Sequence, residues 1–110
     1  LILWPWGYTS VLSYHHPTFE RIGLTMQQQI QSVHGMFYTA GPIYTTIYPA
    51  SGNMCDWVYG VRGALSFAFE LRDTGQYGFL LPPDQILPNS EEVYPAALTL
   101  IQWMTTRQWN

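Results

Sequence analysis

Charge is scarce in this chain. Lys, Arg, Asp and Glu make up 10% of its 110 residues, against about 25% in an ordinary soluble domain. The only basic side chains besides histidine are Arg21, Arg62, Arg72 and Arg107, which are scattered, and the net charge is −3. Nucleic acid is therefore excluded as a partner, because phosphate binding needs clustered Lys and Arg. There is one cysteine, Cys55, so no internal disulfide forms. No apolar run approaches the ~20 residues that a membrane-spanning helix needs. No basic segment followed by an apolar core is visible, so no signal peptide is read. The chain opens on Leu1 and directly on the apolar run "LILW", which reads as a processed chain or a part of a longer one. Low charge favours the second, with some of the surface buried against another polypeptide.

What is present reads as α/β. "LILW" (1–4) is a short buried strand stopped by Pro5 and Gly7, and residues 8–18 are turn-like. Phe19, Ile22, Met26, Ile30 and Val33 share one helical face, with Thr18 able to cap the start and Gly35 the end. "PIYTTIY" (42–48) is β-branched and aromatic, hence strand-like. Residues 53–59 suggest a short helix stopped by Gly60. The run 64–71 alternates, with Leu65, Phe67, Phe69 and Leu71 on one face and Ala64, Ser66, Ala68 and Glu70 on the other. Residues 72–88 read as a long loop. A last helix is expected over 90–106, with Asn89 and Glu92 as a capping box and Val93, Ala97, Leu100 and Met104 buried. Pro95 conflicts with an early start and moves it later. The order β, α, β, short α, β, α predicts a partial mixed sheet with flanking helices, a piece of a larger layered fold.

Glu70 stands out. Its strand face is otherwise small, and ligands in open α/β sheets sit at the carboxyl ends of strands. A carboxylate held between apolar walls is pushed up towards the working range of a general base. The competing reading is a salt bridge to Arg72 or Arg62, or a carboxylate simply in water.

Several motifs then occur in order. "TTIYPASG" (45–52), "DWVYG" (56–60), "FAFELRDTGQYGFLLPPDQILP" (67–88) and "LILWPWGYT" (1–9) resemble the zinc metallocarboxypeptidases of the pancreatic carboxypeptidase A and B type. The resemblance runs through nearly the whole chain, is weakest over 11–40, and covers about the last third of that family's catalytic domain. It implies that residues 1–110 are the C-terminal portion of one such domain and that the protein is secreted. It implies that Glu70 is the general base and Tyr48 the mobile tyrosine that closes over substrate. Leu3, Gly7, Ile43, Ile47, Ala50, Asn53, Cys55 and Ala68 match positions around the pocket for the C-terminal side chain, and Phe79 an aromatic of the outer subsites. Where basic-specific members carry an aspartate, this chain has Cys55, so an apolar or aromatic C-terminal residue is expected.

The family's zinc takes two histidines and a glutamate, and the resemblance places all three upstream of Leu1. His15, His16 and His34 do not replace them, since the residues three positions on are Thr18, Phe19 and Phe37. The family's arginines for the substrate carboxylate and the oxyanion are absent as well. The expected partners are therefore the rest of the catalytic domain and peptide C-termini. The alternative is a non-catalytic fragment or pseudoenzyme module that binds a peptide or a partner chain. A glycosidase pairing Glu70 with Asp73 or Glu20 lacks a placed second carboxylate. Cys55 reads as a small apolar wall rather than a nucleophile, and the many Trp and Tyr as core packing.

Overall fold

A computed structural model describes residues 1–106. Three short strands form one mixed sheet in the order β2-β1-β3. β1 (Ile2–Trp4) is fully buried and lies in the middle. It runs parallel to β2 (Ala40–Pro42), with Leu3 beside Gly41, and antiparallel to β3 (Ala68–Phe69), with Leu3 beside Ala68. Among the described residues there are four α-helices: α1 (His16–His34), α2 (Ile43–Thr46), α3 (Met54–Arg62) and α4 (Ile86–Thr106). None of the helices among the described residues is long and apolar enough to cross a membrane.

α1 buries Phe19, Ile22, Gly23, Met26 and Ile30, the stripe expected from the sequence up to Val33, which is 39% exposed beyond the core. His15 takes the N-cap position, not Thr18. The reason is Pro17, whose fixed φ and missing N–H suit the first turn, so the helix starts before it. Gly35 closes the helix at φ 75°, donating its N–H to the Gln31 carbonyl, as expected.

α1 and α4 pack on each other over the sheet. Ile2, Ile22, Met26, Ile30, Tyr38 and Ala96 form the main core, and Leu65, Phe67 and Phe69 pack on its rim. Trp4, Phe19 and Tyr59 form a second cluster. The aromatic core expectation holds for Trp4, Tyr38 and Tyr59, but Tyr8, Tyr14, Tyr48, Trp57 and Tyr94 are exposed. Trp4 lies so close to Gly23 that a Cβ there would fall into the indole ring. Gly23→Ala is therefore expected to cost about 1–3 kcal/mol by overpacking. Chemical denaturation measures it, and an unchanged midpoint would contradict the contact.

Four expected elements fold differently. "PIYTTIY" is not a strand: β2 ends at Pro42 and α2 follows at once. Here tertiary context overrides β propensity. Tyr44 N–H donates to the Trp6 carbonyl at 3.0 Å, and Gly41 accepts the Thr46 side chain against its bare Cα. The 53–59 helix runs on through Gly60 to Arg62. Gly60 lies against Trp6, where a Cβ would sit 3.0 Å from the ring, and Gly63 at φ 64° makes the turn out. Only Ala68 and Phe69 of the run 64–71 are ladder-paired, because β1 offers three residues, and Leu71 is 49% exposed. Finally, the loop 72–88 is shorter than expected. A 3₁₀ turn at Pro83–Gln85 leads into α4 at Ile86, so Asn89 and Glu92 lie inside the helix and buried, not at a cap. Pro95 removes one bond within α4 without ending it. The packed face is Asn89, Glu92, Val93, Ala96, Leu100 and Trp103, whereas Ala97 and Met104 point to solvent.

Candidate active-site cleft and pocket

Glu70 follows β3, and its main chain is fixed by a reciprocal pair with Leu1: Glu70 N–H donates to the Leu1 carbonyl at 3.0 Å, and Leu1 N donates back at 2.6 Å. The carboxylate is exposed, so the apolar enclosure expected from its strand face is not built by the described residues. It lines an open cleft of about 530 Å³ together with Tyr38, Ile47, Arg72, Asp73 and Phe79. Neither Arg62 nor Arg72 pairs with it. Arg72 turns inward instead.

That inward turn is the firmest polar feature of the chain. Arg72 Nε and one terminal nitrogen each donate to Glu92 at 2.7 Å, a bidentate pair. Glu92 Oε1 also accepts from the Tyr38 hydroxyl at 3.0 Å and Asn89 Nδ2 at 3.1 Å. Glu92 is 0% exposed. Burial pushes its carboxyl up, but Arg72, Asn89 and Tyr38 together outweigh burial and hold it below the ordinary carboxylate range. The Tyr38 hydroxyl is pushed up to about 12, first by burial and then by the Glu92 carboxylate. α4 thus anchors the stretch that follows Glu70. Beyond it, Asp73 accepts from Gly75 N–H at 3.0 Å and Tyr77 N–H at 2.9 Å. These bonds, Gly75 foremost, keep the Asp73 carboxyl below its ordinary range. They commit it to its own turn, which removes it as a second catalytic carboxylate and sets out the loop that carries Phe79. Phe79 is fully exposed on the cleft rim.

A second constellation surrounds Gly7. A Cβ there would sit 2.5 Å from Asn53 Nδ2, 2.7 Å from the Ala50 carbonyl and 3.0 Å from Ile43 Cγ2. Ile43, Ala50 and Asn53 therefore all close on Gly7. Ala50 N–H donates to the Gly7 carbonyl at 2.8 Å, and Asn53 Nδ2 to the Ala50 carbonyl at 2.8 Å. Asn53 also caps α3 by accepting from Asp56 N–H at 2.9 Å. Leu3 and Ala68 face each other in the sheet, and Ser66 ties the neighbouring stretch to α3 by donating to the Cys55 carbonyl at 2.8 Å. Ile43 and Ile47 stand one turn apart, joined by Ile47 N–H to the Ile43 carbonyl at 3.1 Å. Ile43 thus belongs to the Gly7 cluster, while Ile47 lines the Glu70 cleft. Tyr48 is 62% exposed and is not among the residues lining that cleft. Burial, then the Asp56 charge, pushes the Cys55 thiol up against a smaller opposing hydrogen bond from Ser66. A thiol held in its neutral form is a poor nucleophile.

Sequence reasoning missed Asp56, Arg72 and Glu92. For Glu92 a signal existed: a carboxylate on the apolar face of a helix in a charge-poor chain. For Asp56 the motif "DWVYG" marked the segment but no role.

Among the described residues no three His, Cys, Asp or Glu side chains come together to hold a metal. Each histidine is otherwise engaged: His15 Nδ1 with the Tyr59 hydroxyl at 2.9 Å, His16 Nδ1 with Trp4 Nε1 at 3.3 Å, and His34 with Glu91 at 2.8 Å. A zinc ion does not fit these donors.

The sequence profile described as zinc carboxypeptidase matches residues 1–96. The chain is 41% identical to carboxypeptidase A1 of Bos taurus over 102 residues, which is 93% of this chain and 24% of that protein. It is 42% identical over 96 residues to a metallocarboxypeptidase A-like protein of Trichophyton verrucosum, 86% of this chain and 23% of that one. Among solved structures, bovine thrombin-activatable fibrinolysis inhibitor in complex with tick carboxypeptidase inhibitor superposes with a TM-score of 0.91 at 31% identity, over 94% of this chain and 36% of that one. Carboxypeptidase A from Helicoverpa armigera gives 0.81 at 28% identity, over 92% and 26%. The chain spans about a quarter of the length of the curated relatives it matches. With a profile match through most of its length and relatives about 41% identical over nearly all of it, the chain belongs to the zinc carboxypeptidase family.

Proposed function

We propose that residues 1–110 are the C-terminal portion of a carboxypeptidase catalytic domain that removes single residues from peptide C-termini. The observation that carries this is the placement of Glu70 in a cleft lined by Ile47, which caps α2 and is bonded to Ile43 in the cluster around Gly7. Glu70 takes a proton from the water that attacks the scissile carbonyl and returns it to the leaving amine. Leu3, Gly7, Ile43, Ile47, Ala50, Asn53, Cys55 and Ala68 surround the departing side chain. Tyr48 closes over it, and Phe79 meets residues further up the peptide. The family's zinc ligands and carboxylate-anchoring arginines belong to polypeptide outside these residues, so residues 1–110 alone are inactive. Secretion is part of this reading and follows from the resemblance to the pancreatic carboxypeptidase A and B type.

Half-buried Cys55 offers no charge to a basic side chain, and Ile43 adds only apolar surface. A cation buried there would lack a partner, at a cost of several kcal/mol. The completed domain is expected to release C-terminal Phe or Leu with a kcat/KM about a hundredfold above that for Arg. Cys55→Asp is expected to narrow or invert the ratio. Kinetics on a matched peptide series measure both, and a preference for Arg in the unsubstituted protein would contradict the pocket reading.

A further inference from the structure

The geometry points to Asp56 as the residue that positions Gly7, and so sets the width of the pocket for the C-terminal side chain. The inference rests on the pocket reading above and adds a positioning residue to it.

Asp56 lies in the first turn of α3, half-buried. Its two carboxylate oxygens accept from Gly7 N–H at 2.9 and 3.0 Å, and one of them also from Tyr8 N–H at 3.1 Å. Its own N–H donates to Asn53 Oδ1. One residue therefore grips both sides of the cluster, the 7–8 main chain directly and Asn53 through the cap. No cation among the described residues pairs with Asp56, so its charge is directed to main-chain donors.

Gly7 needs such a grip. Glycine is the least constrained residue, and this one has no side chain to wedge it in place. It nevertheless stands at contact distance from Ala50, Asn53 and Ile43, where a shift of a few tenths of an ångström changes what fits. Charge-assisted bonds to main-chain N–H groups are short and strong. Ala50 then follows Gly7, because its N–H is bonded to the Gly7 carbonyl and not to Asp56. An amide at position 56 would be close to isosteric with the carboxylate, but it loses the negative charge and turns its NH2 group, in place of one acceptor oxygen, towards the Gly7 N–H.

The test is Asp56→Asn in the completed domain, read by steady-state kinetics and by amide hydrogen exchange. KM for a C-terminal Phe peptide is expected to rise about tenfold to a hundredfold with kcat within about threefold, since the lost bonds position a binding wall and not the proton carrier. Exchange at Gly7, Tyr8 and Ala50 is expected to quicken together, with the amides of α1 unchanged. Asp56→Glu, which keeps the acceptor oxygens, should recover part of the affinity. An unchanged KM, or a fall in kcat alone, overturns the inference. So does exchange that quickens at Gly7 and Tyr8 but not at Ala50. If the unsubstituted domain cleaves no peptide, the functional reading fails instead, and the exchange pattern still decides whether Asp56 holds Gly7. If Asp56→Asn does not fold, slow exchange at Gly7 and Tyr8 in the unsubstituted protein supports the grip, and unprotected amides there overturn it.

Discussion

Glu92→Ala is expected to destabilise the protein by about 3–5 kcal/mol, because it leaves the Arg72 guanidinium buried without its counter-charge. Arg72 is 12% exposed and makes both of its strong bonds to this one carboxylate. The same change takes the acceptor from the Tyr38 O–H and one of the two acceptors of Asn89 Nδ2, which keeps its bond to the Tyr38 oxygen. Replacing Arg72 and Glu92 together by apolar residues of similar size should cost less than Glu92→Ala alone, since a buried pair replaced as a unit is often near neutral. The pH dependence follows from the direction of the shift. The folded Glu92 carboxyl titrates below its unfolded value. Its contribution is therefore present above the unfolded pKa and is lost as pH falls through the folded one. Denaturation midpoints taken from neutral to acid pH should fall for the unsubstituted protein, and Glu92→Ala should flatten that part of the fall. A single-residue loss under 1 kcal/mol, or parallel pH curves, would contradict this account of the network.

Glu70→Gln is expected to lower kcat of the completed domain by about 10²–10⁴-fold, the usual weight of a positioned general base. KM and thermal stability should hardly move. The reason is local: Glu70 is fixed through its main-chain pair with Leu1, which glutamine makes equally well, and its side chain is exposed rather than structural. A loss of kcat accompanied by a comparable loss of stability would mean that the carboxylate holds the cleft together and does not act in it. A kcat within tenfold of the unsubstituted value would remove Glu70 from the reaction.

The parts of this fold that were legible in the sequence are those where one local signal acts alone. β1 is an apolar run with a proline behind it. The stripe Phe19, Ile22, Met26, Ile30 follows a helical period, and Gly35 takes the left-handed cap that glycine favours. Where the decisive contact comes from far along the chain, local reading fails. Ile43, Tyr44, Thr45 and Thr46 have strand-like side chains, yet α2 forms because Trp6 takes the Tyr44 N–H and Gly41 makes room for Thr46. Asn89 and Glu92 look like a capping box, yet both are buried by Tyr38 and Arg72, 51 to 54 and 17 to 20 positions away respectively. The site divides in the same way. Glu70 announced itself as a lone carboxylate in an apolar run, and resemblance alone singled out Gly7, Ile43 and Asn53, which the fold brings close together. Asp56 and Arg72 did not, since what each does depends on a partner that only the folded chain brings near.

The most direct measurement is a mass-spectrometric time course. A mixture of peptides differing only in the C-terminal residue is incubated with zinc and a domain in which residues 1–110 are joined to polypeptide bearing the metal ligands. The account predicts loss of one residue at a time from the C-terminus, fastest for peptides ending in Phe or Leu, with internal bonds intact. Intact peptides throughout, or cleavage at internal bonds, would contradict it.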